Sequence, residues 1–141
     1  MATRKVLILE DDPRRVERFR AVLSELDAGL ECVVWHDAHT MIKELPGHLA
    51  DSVLISLDHD LDSIDHPDDA EYPGDGRQVV RFLMTIPPTA PVLIHSSNDI
   101  AADEMEPNLA QCGWNVVRVE PFCKDWIEVD WKREIQNQGI A

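Results

Sequence analysis

The stretch Val53-Leu54-Ile55-Ser56-Leu57-Asp58-His59-Asp60-Leu61 decides how this chain is read, because an apolar run of strand length delivers two carboxylates and an imidazole at its end. Strands buried on both faces are the mark of parallel sheets, and open α/β sheets build their sites at the carboxyl ends of such strands. Two further runs repeat the pattern. Val6-Leu7-Ile8-Leu9 leads into Glu10-Asp11-Asp12, and Pro91-Val92-Leu93-Ile94 leads into His95-Ser96-Ser97-Asn98. Three clustered carboxylates repel one another unless a cation or solvent stabilises them. Together the clusters predict a divalent-metal pocket suited to phosphate chemistry.

Outward from these strands, apolar runs alternate with helical patterns. Pro13 opens a helix with Val16, Phe19, Leu23 and Leu26 on one face, ending near Asp27-Ala28-Gly29. Cys32-Val33-Val34-Trp35 reads as a second strand, and a helix from about Asp37 carries Met41, Ile42 and Leu45 up to Pro46-Gly47. After the third strand, Gly76 leads into Val79, Val80, Phe82 and Leu83, closed by Pro87-Pro88. The fourth strand spans about 91–95; the helix after it carries Met105 and Leu109, with Pro107 expected to kink it or delay its start. Trp114 to Val119 is the fifth strand, and 124–138 reads as a last helix holding Trp126, Ile127 and Trp131. Strict alternation predicts an α/β fold: a single doubly wound five-stranded parallel sheet, order 2-1-3-4-5, with helices on both faces.

The 141 residues suit one domain over 1–141, with an acidic insertion loop at about 59–75. No stretch approaches the roughly 20 apolar residues of a membrane span, and the basic-then-apolar start Arg4-Lys5-Val6-Leu7-Ile8-Leu9 meets acid too soon to read as a signal peptide. Cys32, Cys112 and Cys123 are odd in number and lack paired spacing, which argues against a disulfide framework and for a cytoplasmic, reducing setting. A net charge of −14 disfavours anionic membranes and non-specific DNA binding. A small phosphorylated ligand or an RNA end held through a metal remains compatible with that charge.

The residues Leu7-Ile8-Leu9-Glu10-Asp11-Asp12-Pro13, the strand-terminal Asp58, the strand entering His95-Ser96 and the closing Val119-Glu120-Pro121-Phe122 resemble the receiver domains of response regulators over nearly the whole chain. The strings Ile55-Ser56-Leu57-Asp58-His59-Asp60-Leu61 and His95-Ser96-x-Asn98, with Gly76 between them, more specifically resemble the receiver-like family predicted to process cyclic phosphates. The resemblance implies a flavodoxin-like, CheY-like fold. It assigns Glu10 and Asp11, with Asp12 beside them, and Asp58 to Mg²⁺ or Mn²⁺, and it makes Asp58 the phosphate-accepting position. Ser96 corresponds to the hydroxyl residue that contacts a phosphoryl group, and Asn98 and Asp60 join it as candidate phosphate contacts. Two departures stand out: Glu120 replaces the lysine that receivers place before proline, and Val117 replaces a common aromatic. Arg118 and Lys124 are the nearby candidates to restore a cation.

Imidazole titrates near neutrality, so His59 and His95 at adjacent strand ends form a candidate acid and base pair for opening a strained phosphodiester. Metal binding, substrate contact and plain packing are the competing roles, since alternation sends His59 opposite Asp58 and His95 opposite Ser96. Asp58-x-Asp60-x-Asp62 imitates a calcium loop, but Ser63 replaces its glycine and Asp69 its final glutamate; a solvated lid, with His66 in it, is expected instead. His36-x-x-His39 lacks zinc-site partners and reads as helix-start chemistry. Trp126 and Trp131 offer a partner face or, as large aromatics usually do, core packing. Two functions follow: a metal-assisted phosphodiesterase acting on a cyclic phosphate, with catalytic Asp58, His59 and His95, or a stand-alone receiver served by a histidine kinase or acting through partner contacts.

Overall fold

The computed structural model describes residues 3–59 and 74–140. Its order is β1 (Arg4–Leu9), α1 (Pro13–Leu26), β2 (Leu30–Trp35), α2 (Ala38–Glu44), β3 (Ser52–Leu57), α3 (Gly76–Leu83), β4 (Val92–Ile94), α4 (Asp99–Gln111) and β5 (Val116–Arg118). A π-helical turn, Ile127–Trp131, then runs into α5 (Lys132–Asn137). The five strands form one parallel sheet in the order β2-β1-β3-β4-β5, as the alternating pattern predicts.

Strand periodicity divides the core into two layers. Val6, Ile8, Leu54 and Leu93 meet Phe19, Val22 and Leu23 of α1 together with Trp126, Ile127, Trp131 and Ile135. The alternate residues Leu7, Leu9, Ile55, Leu57, Val92 and Ile94 face Met41 of α2, Val79, Val80 and Leu83 of α3, and Met105 and Leu109 of α4. Each such buried side chain contributes roughly 1.5–3 kcal/mol, which makes both faces of the sheet energetically committed. Both tail tryptophans are core residues, 3 % and 0 % exposed.

Local chemistry sets the helix starts. Asp12, Asp37, Asp75 and Asn98 cap α1 to α4 in turn, each accepting a backbone N–H of the first turn. Pro107 does not delay the start of α4, which begins at Asp99 and continues through it to Gln111. Its ring lies on the exposed side of the helix, where water can serve the carbonyl left without a partner. The last helix departs from the simple 3.6-residue expectation over 124–138. Trp131 N–H donates to the carbonyl of Trp126 at 2.8 Å, an i→i−5 bond that turns both indoles, five residues apart, into the same core layer.

Asp60 and His66, with the rest of the acidic segment from 60 to 73, lie outside the described residues. Among the described residues no helix is long and apolar enough to cross a membrane. The three cysteines are free thiols; Cys32 and Cys112 are half-buried and Cys123 is exposed.

Candidate functional site

The site is set by ladder bonds that continue beyond the strand ends. Leu9 is level with Leu57 and with Trp35. Beyond them Glu10 N–H donates to Trp35, Asp58 N–H to Leu9 and His95 N–H to Leu57, at 3.0, 3.1 and 2.9 Å. Alternation does the rest. Glu10 follows Val6 and Ile8, Asp58 follows Leu54 and Ser56, and His95 follows Leu93, so all three turn toward the layer of α1 and the tryptophans. His59 and Ser96 take the opposite direction, toward α3 and α4.

Glu10, Asp58 and His95 are thereby brought together, with one ligand atom from each lying within 4.8 Å of the others. Their exposures are 0 %, 4 % and 0 %, so water screens their charges poorly. His95 Nε2 stands 3.2 Å from Glu10 Oε1 but falls short of hydrogen-bond geometry with it. Arg15, from the first turn of α1, reaches in with Nη1 3.5 Å from Glu10 Oε1 and 4.0 Å from Asp58 Oδ2. Its guanidinium also lies over the Trp126 ring, 5.5 Å from the centroid.

The two carboxylates titrate in opposite directions. Burial raises Glu10, but the polar Nε2 edge of His95 that faces it at 3.2 Å, together with the Arg15 guanidinium, outweighs it and holds the group below its ordinary value. Burial, followed by the Glu10 charge, pushes Asp58 up to about 9, against a smaller opposing effect of Arg15. A proton therefore belongs on Asp58 when no other cation is present.

His95 is held from every side. Ser56 Oγ lies 2.6 Å from its Nδ1, and Trp131 Nε1 donates to the same Oγ at 3.0 Å. Trp126 stacks on the imidazole at 5.8 Å between centroids, and Phe19 meets its edge at 5.1 Å. Trp126, which precedes the π-helical turn, and Trp131, which ends it, thus both serve one histidine: the first by its stacked ring and the second, through Ser56, by its indole N–H.

His59 has different neighbours. Its Nδ1 lies 3.3 Å from Asn98 Nδ2, and its Nε2 lies 3.7 Å from the Asp75 carboxylate. Ser96 Oγ accepts the Asn98 N–H at 3.1 Å, while Asn98 Oδ1 caps α4. Gly76 opens α3 against this group. A Cβ there would stand 2.3 Å from the Asp58 carbonyl oxygen and 3.0 Å from His59 Cα, so only glycine permits the approach. Asp12 Oδ1 accepts the Arg14 N–H at 2.9 Å, and half-buried Asp11 contributes to the field on Asp58.

Glu120 is exposed, and so is Lys124. Arg118 is directed to α4, where it pairs with Asp99 at 3.2 Å and Asp103 at 2.5 Å. The pocket's cation is Arg15, which sequence reasoning missed. Its signal was a basic residue in the first turn of a helix, against the dipole, directly after three acids. Ser56 and Trp131 were also missed as site residues, and their partners are too distant in sequence for a local pattern to reveal.

The fold is shared by receiver domains of known structure. One from Rhodospirillum rubrum superposes with a TM-score of 0.70 at 16 % identity, covering 97 % of this chain and 94 % of the other. The phosphorylated cyanobacterial phytochrome response regulator RcpA gives 0.69 at 18 % identity with the same coverage. A Colwellia psychrerythraea response regulator gives 0.60 at 17 %, covering 96 % of this chain and 98 % of its own. No curated protein matches the chain in sequence. The model of the cyclic-phosphate processing receiver domain matches residues 6–111, three quarters of the chain, and takes in both histidine-bearing strand ends with the acidic cluster. The protein therefore belongs to the cyclic-phosphate processing receiver domain family.

Proposed function

We propose that this pocket opens a cyclic phosphate, carried by a nucleotide or an RNA end, by hydrolysis assisted by Mg²⁺ or Mn²⁺. The observation that carries the reading is the convergence of the Glu10 and Asp58 carboxylates with the His95 imidazole in one buried cluster. A receiver frame with an acid pocket alone would serve phosphoryl storage; an imidazole among the acids adds a group that can donate to or accept from a phosphate ester.

The donor set suits a hard cation. Two adjacent buried carboxylates, one of which holds a proton far above the normal carboxylate range, offer a divalent ion the place of that proton. Glu10 and Asp58 would hold it, with Asp11 flanking them. Once bound, it would polarise the phosphoryl oxygens.

The remaining residues divide the other tasks. Arg15 presents its guanidinium to the same space and suits a non-bridging phosphate oxygen, the part a lysine plays in receivers. His59, next to the Asp75 carboxylate, suits proton transfer during attack of water and departure of the ring oxygen. Ser96 and Asn98 line its side of the strand ends as candidate substrate contacts. Water adds to phosphorus, one ring P–O bond breaks, and the leaving alkoxide takes a proton to give a monoester.

The test is turnover of a panel of cyclic nucleotides and oligonucleotides ending in 2′,3′-cyclic phosphate, with Mg²⁺ or Mn²⁺. His59→Ala and His95→Ala should each lower the rate by about 10²–10⁴-fold, the usual weight of one acid–base or donor group. His48→Ala should match the wild type, because His48 packs edge-on to Trp35 and beside Lys5, away from the strand-end cluster. No turnover by the wild type, or full turnover by both variants, would sink the proposal.

A second reading keeps Asp58 as a phosphate acceptor for a histidine kinase, and the nearness of Arg15 to Asp58 favours it. Intact mass after incubation with acetyl phosphate and Mg²⁺ separates the two. A stoichiometric adduct lost in Asp58→Asn would establish this second reading.

A further inference from the structure

We propose that Ser56 and Trp131 fix the tautomer of His95, so that Nε2 enters the carboxylate pocket as a proton-bearing donor to a phosphoryl oxygen and not as a metal ligand. The role toward phosphate rests on the function proposed above; the tautomer does not.

The assignment follows from counting protons along a buried chain. An indole nitrogen only donates, so the 3.0 Å contact from Trp131 Nε1 occupies one lone pair of Ser56 Oγ. Ser56 is wholly buried and retains one hydroxyl proton. Among the described residues, the only other hydrogen-bond partner of that hydroxyl is His95 Nδ1, at 2.6 Å. If Nδ1 carried a hydrogen and donated it, the hydroxyl proton would be buried without an acceptor, an arrangement native interiors avoid. Ser56 therefore donates to Nδ1. In a neutral imidazole the other nitrogen, Nε2, then bears the hydrogen.

Ring packing fixes where that hydrogen points. Phe19 and Trp126 clamp the imidazole, and Nε2 faces the Glu10 carboxylate at 3.2 Å, with no hydrogen-bonded partner in good geometry. A histidine that ligates a metal presents a lone pair on one nitrogen and usually donates the hydrogen of the other to an acceptor. Here the outer nitrogen receives a hydrogen bond, the reverse of that arrangement. The cluster of Glu10, Asp58 and His95 is accordingly divided: oxygens for a cation, and an N–H for the oxygen of a phosphate. Ser56 and Trp131 act through His95 and are positioning residues.

Long-range ¹H–¹⁵N correlation of the imidazole nitrogens at pH 8, with the His95 signals identified by their loss in His95→Gln, reads the tautomer directly. The wild type should show a hydrogen on Nε2 and none on Nδ1. Ser56→Ala should shift the ring to a mixture or to the Nδ1–H form, and Trp131→Phe, which keeps the aromatic packing but removes the indole N–H, should produce part of that shift. Mg²⁺ alone should leave the Nε2 hydrogen in place, and inorganic phosphate added with Mg²⁺ should move its resonance downfield. A wild-type ring that is doubly protonated or in the Nδ1–H form would overturn the proposal, as would an unaltered Nε2–H signal in both variants. Loss of the Nε2 hydrogen on adding Mg²⁺ would make His95 a metal ligand, and a signal unmoved by phosphate would remove the donor role. None of these outcomes depends on turnover, so failure of the cyclic-phosphate reading would be seen separately.

Discussion

Replacing Asp58 with asparagine should stabilise the metal-free protein while destroying its site. The Asp58 carboxyl is pushed up to about 9 from an ordinary 3.8 by burial and then by Glu10. At pH 7.5 the unfolded chain has released this proton and the folded chain retains it, which at about 1.4 kcal/mol per pH unit sets an upper bound of roughly 5 kcal/mol. Coupling to Glu10 and entry of water reduce that figure, and a gain of about 2 kcal/mol for Asp58→Asn is expected. For a chain of this size the melting temperature should rise by about 4–8 °C. Because the folded state binds the proton more tightly than the unfolded state between about pH 4 and 9, wild-type stability falls as pH rises through that window. The advantage of the variant should therefore be small near pH 4.5 and largest near pH 9. Thermal denaturation followed by circular dichroism in EDTA across this range measures it. A variant less stable than wild type at pH 8, or a difference independent of pH, would refute the electrostatic account of the pocket.

Three further outcomes follow from the same geometry. Affinity for Mg²⁺, measured by calorimetry, should rise by about tenfold per pH unit between pH 6 and 8, because the ion displaces the Asp58 proton; a flat profile contradicts this, and Asp58→Asn should bind far more weakly. Arg15→Ala should cut kcat/KM on a cyclic phosphate by about 10²-fold, as loss of one donor to a charged oxygen does, with the fold intact by circular dichroism. Gly76→Ala should cost about 1–3 kcal/mol in denaturant unfolding, because its Cβ would stand 2.3 Å from the Asp58 carbonyl, whereas Gly47→Ala, with nothing within 4 Å, should be nearly neutral.

The sheet was legible because parallel strands announce themselves: Val6 to Leu9, Val53 to Ile55 and Val92 to Ile94 are unbroken apolar runs that lead within a few residues to ionisable side chains. Period-two alternation also anticipated that His59 and Asp58 would face opposite ways, which is how the two histidines came to have different surroundings. What the pattern concealed was contact across distance. The Ser56 and Trp131 pair is 75 residues apart in sequence, and the π-helical turn that aims Trp131 depends on an i→i−5 bond that no 3.6-residue template anticipates. Arg15 was hidden for another reason. A cation beside Pro13 in a first helical turn looks like solvent-facing charge until the packing of Trp126 draws it over the pocket.

The most direct test of cyclic-phosphate hydrolysis is ³¹P NMR of a nucleoside 2′,3′-cyclic phosphate incubated with the protein and Mg²⁺ in water half-enriched with ¹⁸O. The account predicts that the cyclic signal converts to a monoester, that half of the product carries one ¹⁸O shifted from the unlabelled line, and that conversion disappears in Glu10→Gln. An unchanged cyclic signal, or conversion that persists unaltered in Glu10→Gln, would contradict it.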